Sequence, residues 1–192
     1  MATATGDRRI ASRHPGSGRG PLPRHGYLTL RRRYEPQSVG LIVVAESPPQ
    51  SGEYFYDPTG RVTEPLFAAL MKPLGISPST KASGLREFQQ QGWVLVDATY
   101  EPVNKISDTR RDAVIIRDYP LLRGDLVNLV PDRSAPLILI KANICRLLEP
   151  MLSADGFNVV NRGRSIPFPS HGWQRVFGHK FAATLKAAEV SA

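Results

Sequence analysis

The 192-residue chain has a single cysteine, Cys145, which rules out an internal disulfide. Its four histidines and one cysteine show no spacing suited to a zinc or iron–sulfur site, so a metal-free protein in a reducing compartment is expected. No run approaches the roughly 18 apolar residues of a membrane span, and the first 30 residues lack the apolar centre of a secretory signal. These two absences predict a soluble, cytoplasmic protein with no membrane partner. Acids are also scarce at the start: residues 1–34 carry eight arginines against Asp7 alone, which accounts for +7 of the formal net charge of +8. An amphipathic organelle-targeting helix is disfavoured there, because Pro15, Gly16, Gly18, Gly20, Pro21 and Pro23 break it.

What the first 34 residues do contain is Arg, Gly, Pro and Ser, with few side chains to build a core. Ordering entropy then has little burial to offset it, so 1–34 is predicted to be a disordered basic tail. Such an arm can neutralise phosphates without reading sequence. Residues 35–192 suffice for one domain with a sizeable core.

Apolar runs of strand length occur at 39–45, 93–98 and 137–140, with a shorter fourth at 157–160. Runs apolar at every position indicate strands buried on both faces, as in a parallel sheet under helices. Between them lie segments of helical spacing: around Leu66, Leu70 and Met71, then 79–91, 109–116, 121–130, 141–152 and 173–190. Pro120 is expected to separate two of these. The fold class that follows is α/β, a three-layer α/β/α arrangement with a central, mostly parallel four-stranded sheet. Cys145 falls on a core helix, where a small hydrophobe is the plain reading.

In an open parallel sheet, ligands meet the loops at the carboxyl ends of the strands. After the first run stands Ala45-Glu46-Ser47-Pro48-Pro49, followed by Tyr54-Phe55-Tyr56. The second ends in Asp97 and continues to Asn104. Near the end comes Pro167-Phe168-Pro169-Ser170-His171-Gly172. Asp97 is unusual in an apolar run, since a buried acid needs a partner; the alternatives are a loop cap or an arginine pair.

In order and spacing, these three segments resemble the motifs of the uracil-DNA glycosylase superfamily over roughly residues 38–186. The resemblance implies base excision: a nucleotide is extruded from DNA, its base is stacked on an aromatic, and its edge is read in a pocket. Glu46 and Ser47 would position water, Pro48 would stiffen the turn, and Phe55 or Tyr56 would stack on the base. Asp97 would read the edge, and His171 would assist the departing base. Ser170, Trp173 and Arg175 would meet the DNA, single- or double-stranded, with Trp173 or His171 as a wedge. No cofactor is implied.

Three positions depart from the family pattern. Ser47 stands where an Asp or Asn orients water, Asp97 where an Asn reads the base, and Phe168 where a His faces the leaving group. An ionised carboxylate only accepts hydrogen bonds, so Asp97 favours a base bearing an exocyclic amine unless burial keeps it protonated. Two rival readings follow: a nucleic-acid-binding protein that kept the fold without catalysis, and a small-molecule hydrolase or nucleotide binder on an unrelated doubly wound sheet.

Overall fold

The computed structural model describes residues 20–188. At its centre lies β1 (Leu41–Ala45), buried at all five positions. β2 (Trp93–Asp97) and β3 (Leu137–Leu139) flank it in parallel, in the order β2-β1-β3, with Val43 opposite both Leu95 and Ile138. Side chains alternate across the sheet. Leu41, Val43, Trp93, Leu95 and Ile138 pack with α1 (Arg24–Arg32), α2 (Pro65–Met71), α3 (Lys81–Gln90) and α6 (Gln174–Ala187). Ile42, Val44, Val94, Val96, Leu137 and Leu139 pack with α4 (Asp108–Leu129) and α5 (Ala142–Ala154). The domain is therefore α/β, with a parallel sheet.

The sheet has three strands, not the four expected. Segment 157–160 reaches it only through a bridge between Val159 and Leu137. The ladder stops there because the Asn161 side chain takes the place of the next backbone unit: Leu139 N–H donates to Asn161 Oδ1 (3.0 Å), and Asn161 Nδ2 donates to the Leu139 carbonyl (2.9 Å). At the opposite edge the Tyr56 hydroxyl does the same for β2. It donates to the Leu95 carbonyl (3.1 Å) and accepts from Leu95 N–H (2.7 Å). One side chain at each margin thus satisfies edge groups that would otherwise be open to pairing with another chain.

Part of the predicted tail is ordered. Residues 24–32 form α1, which buries Tyr27, Leu28 and Arg31, so the boundary at 34 is corrected. Arginine content hid an amphipathic stripe whose polar member is itself buried. Arg31, 2 % exposed, donates to both Asp125 oxygens (2.6 and 2.7 Å), to the Tyr100 hydroxyl (2.8 Å) and to Glu35 (2.8 Å). The Tyr27 ring packs against Tyr54 and Tyr100 at 4.7 and 6.0 Å. Residues 1–19, the rest of that stretch, lie outside the described residues, as do 189–192 at the end of the predicted final helix.

Pro120 does not divide its segment, since α4 runs unbroken through it for 22 residues. Proline removes one N–H and crowds the carbonyl four residues earlier. Here Ile116 and Pro120 face outward, while Ile115 and Tyr119 before the proline and Leu122 and Leu126 after it are all buried in one layer. Packing on both sides holds the two halves together.

Removing one partner of a buried, hydrogen-bonded ion pair leaves the other charge stranded. Asp125→Asn is accordingly expected to lower unfolding free energy by about 3 kcal/mol in urea denaturation. A loss below about 1 kcal/mol would mean that α1 contributes little to the domain.

Candidate functional site

The loops leaving the carboxyl ends of β1, β2 and β3 meet on one side of the sheet. α2 and α3, which link β1 to β2, lie over one face, whereas α5, which follows β3, lies over the other. The chain thus parts around the ends of β1 and β3, the usual position of a ligand crevice in such sheets. A cleft of about 510 Å³ opens there, lined by Glu46, Ser47, Pro48, Phe55, Asp97 and Ser170. Three segments more than 40 residues apart in sequence therefore converge. Lys141 and Phe168 complete its walls.

Glu46, 6 % exposed, is held by three groups. The Lys141 ammonium donates to Oε2, Asn143 Nδ2 donates to Oε1 at 2.7 Å, and Arg111 Nε stands 3.9 Å from Oε1. Lys141 has a backbone φ of 83° and ψ of 142°, outside the left-handed helical region and in territory that favours glycine. Its amide remains tied to the Ile166 carbonyl at 2.7 Å. Sequence reading missed Lys141, Asn143 and Arg111 as site residues. The available signal was position, because Lys141-Ala142-Asn143 directly follows an apolar strand at the start of α5.

Three hydrogen bonds fix the turn after β1 to the loop after β2. Thr99 N–H donates to the Glu46 carbonyl (3.1 Å), Val103 N–H to Ser47 Oγ (3.3 Å), and Gln50 N–H to Asn104 Oδ1 (3.1 Å). The aromatic wall is anchored from below. Lys81, fully buried, donates to the Tyr54 carbonyl at 2.6 Å and pairs with Glu64. Phe55 packs edge-on against Tyr56 and Phe88 at 4.9 and 5.2 Å and still lines the cleft. Tyr56 does not: it is fully buried beneath, occupied with the β2 edge, so of the two expected stacking rings only Phe55 borders the cleft.

Asp97 is 4 % exposed and lines the cleft. Its Oδ2 has no hydrogen-bond partner. Arg31, whose charge acts on Asp97, is taken up by Asp125, Glu35 and Tyr100, and no arginine forms a salt bridge with Asp97 among the described residues, so the arginine-pair alternative does not hold. Burial pushes the Asp97 carboxyl up to about 7; Arg31 pulls it down and Asp125 adds to the rise.

The late segment divides. Ser170 and Phe168 line the cleft. His171 is exposed and does not line it, contrary to the role expected of it. The chain reverses at this point: Ser170 N–H donates to the Phe168 carbonyl (2.8 Å), Trp173 N–H to the Ser170 carbonyl (2.9 Å), and Gly172 adopts φ 82°. Trp173, 53 % exposed, borders an adjoining recess of about 350 Å³ with Arg111, Arg146 and Ser170. Arg175 is exposed at the start of α6.

No protein-family model matches the chain, and no curated protein does. Function is therefore read from the cleft's own chemistry. Among the described residues no cluster of His, Cys, Asp and Glu is placed to hold a metal ion, and no helix is long and apolar enough to cross a membrane.

The raised Asp97 carboxyl gives a pH signature. Between about pH 4 and pH 7 the native state binds a proton that the unfolded chain does not, so stability from this group falls as pH rises and levels off above about 7. Asp97→Asn removes that dependence. The variant's stability relative to wild type should climb across this window by up to about 4 kcal/mol, measured by denaturation at successive pH values. Parallel curves for the two proteins would show that Asp97 titrates normally.

Proposed function

We propose that this chain is a DNA glycosylase-like enzyme that hydrolyses the N-glycosidic bond of an extruded deaminated or damaged base. The observation that carries the reading is the convergence of Glu46, Ser47, Phe55, Asp97 and Ser170, from three separated segments, on one cleft at the carboxyl ends of the strands. Its volume suits a single heterocycle with its sugar, and the wall pairs one aromatic face with a few polar groups, as ligand sites generally do.

In this reading the base enters against Phe55 and presents its edge to Asp97. Water sits beside Ser47 and Glu46. As the C1′–N bond breaks, its electron pair leaves with the base, and positive charge develops on the sugar next to the Glu46 carboxylate. Water oxygen then bonds to C1′, and its proton passes to the departing base. Lys141, facing the same cleft, supplies the cationic donor that stabilises the base as it leaves, the task first sought in His171. Preorganised charges of this kind carry much of the rate where bulk water is excluded. DNA backbone contact falls to Ser170, to exposed Trp173 and Arg175, and to the arginines of residues 1–19. The chemistry needs no cofactor.

A second reading, a nucleic-acid-binding protein without catalysis, is favoured by one feature: Glu46 is already engaged by Lys141 and Asn143, and among the described residues no histidine borders the cleft. Activity separates the two. Single-stranded oligonucleotides bearing one uracil, xanthine, hypoxanthine or oxidised pyrimidine should acquire alkali-labile sites on incubation with the purified protein, and Glu46→Gln should slow this by about 100-fold or more. Absence of release across the set, with salt-sensitive DNA binding retained, would establish the second reading instead.

A further inference from the structure

α1 turns two faces to different surroundings. Tyr27, Leu28 and Arg31 are buried in the domain, whereas Arg24, His25, Thr29 and Arg32, with the C-cap Arg33, are exposed on the outer side. Among the described residues, none of the three outer guanidinium groups lies within salt-bridge distance of a carboxylate. The acids at hand are already occupied. Glu35 pairs with Arg31 at 2.8 Å, and Asp118, which lines the same recess as Arg24, pairs with Arg117 at 2.8 Å.

The spacing selects the kind of ligand. Arg24 and Arg32 stand about 12 Å apart along the helix axis, too far for one small anion to meet both. A polymer with charges at short, regular intervals can meet all three arginines, as a nucleic-acid backbone does. A lipid surface fits less well. A helix that lies on a membrane buries its apolar face there, and the apolar face of α1 is already packed inside the domain.

Position supplies the second argument. Tyr27 packs on Tyr100 in the loop after β2, and Tyr34, just beyond α1, stacks at 6.3 Å on Tyr56, the ring that closes the β2 edge. α1 therefore runs along the β2 margin. At its amino end Arg24 lies over the Tyr100 ring at 5.6 Å and borders, with Asp97, a recess of about 320 Å³. Asp97 also lines the main cleft, so the row of cations begins beside the cleft and leads away from it. The platform is fixed, because Arg31 holds Asp125 of α4 and Gln89 of α3 donates to the Glu35 carbonyl at 2.9 Å. We propose, resting on the base-excision reading above for the identity of the strand, that the exposed face of α1 is a second DNA-contact surface. It holds the phosphate backbone flanking the extruded nucleotide and reads no sequence.

The test measures binding of the full chain to an unmodified single-stranded oligonucleotide at salt concentrations from about 0.05 M to about 0.3 M. Wild type is compared with the triple variant Arg24→Gln, Arg32→Gln, Arg33→Gln. The plot of log affinity against log salt should lose about 2 from its slope, at about 0.7 per phosphate contact, and affinity should fall about tenfold or more at physiological salt. All three side chains are exposed and Arg31 is untouched, so thermal unfolding should match wild type. Neutralising Lys72, Arg162 and Lys186 instead, exposed residues elsewhere on the domain, should leave most of the slope in place. An unchanged slope in the α1 variant, or an equal loss in the control variant, overturns the inference. Tighter wild-type binding to phosphatidylserine vesicles than to the oligonucleotide also overturns it and makes α1 a membrane-facing helix. Because the oligonucleotide carries no modified base, failure of base excision with the α1 effect intact removes the enzymatic reading and leaves this surface standing.

Discussion

β1 is hydrogen-bonded along both margins and covered on both faces, and that double enclosure dictates most of the surrounding architecture. A strand with no solvent-facing side chain requires helices above and below, and parallel neighbours require crossovers long enough to contain those helices. With three strands the sheet is narrow, so each neighbour of β1 is also an edge. Tyr56 and Asn161 close those edges with side-chain groups that imitate a strand's own pairing. Tyr56 and Asn161 are polar residues of a kind commonly sought in active sites, and here their hydrogen bonds go to a strand edge instead.

The same enclosure places the cleft. Because all three strands run the same way, their terminal residues Ala45, Asp97 and Leu139 finish on one side, where the loops that leave them meet. Lys81 and Arg31, two buried cations, then fasten the peripheral pieces. Lys81 fixes the 54–56 loop to α3, and Arg31 fixes α1 to α4. Breaking a paired buried charge costs more than forming the pair contributes, so these contacts specify one arrangement of the walls more than they add to stability.

How far the sequence disclosed this depended on whether a signal was periodic or individual. The strands were legible because β-branched residues at consecutive positions are hard to accommodate except in a doubly covered strand. The meeting of Glu46, Phe55, Asp97 and Ser170 was legible because parallel topology sends strand-end loops to one side. α1 was not, since four of its nine residues are arginine or histidine and the burial of Arg31 depends on Asp125, 94 residues away. The fourth strand failed for a similar reason: Val159 has the right character, but the adjacent Asn161 amide takes over the ladder. His171 and Phe168 were separable only by the turn at Gly172, whose direction no local pattern encodes. Lys141 was hidden by a backbone conformation that non-glycine residues seldom adopt.

Local rules of folding are broken unevenly in this molecule. Arg133 also has a positive φ, of 58°, but that lies in the ordinary left-handed region and away from the cleft, whereas Lys141 lies outside it and on the cleft. Asp97 keeps a buried carboxylate oxygen without a partner, and Glu46 could be replaced together with Lys141 by apolar groups of similar volume without leaving a stranded charge. Three residues that make poor sense for stability, each at the end of a different strand, therefore border one cavity. Sequences depart from local consistency chiefly where function demands it, and the departures here fall together. The electrostatics follow: a compensated Glu46–Lys141 pair stands at one side and Asp97, with one oxygen unpartnered and its carboxyl raised by burial, at the other, so the cleft has one wall of fixed charge and one whose charge varies with pH.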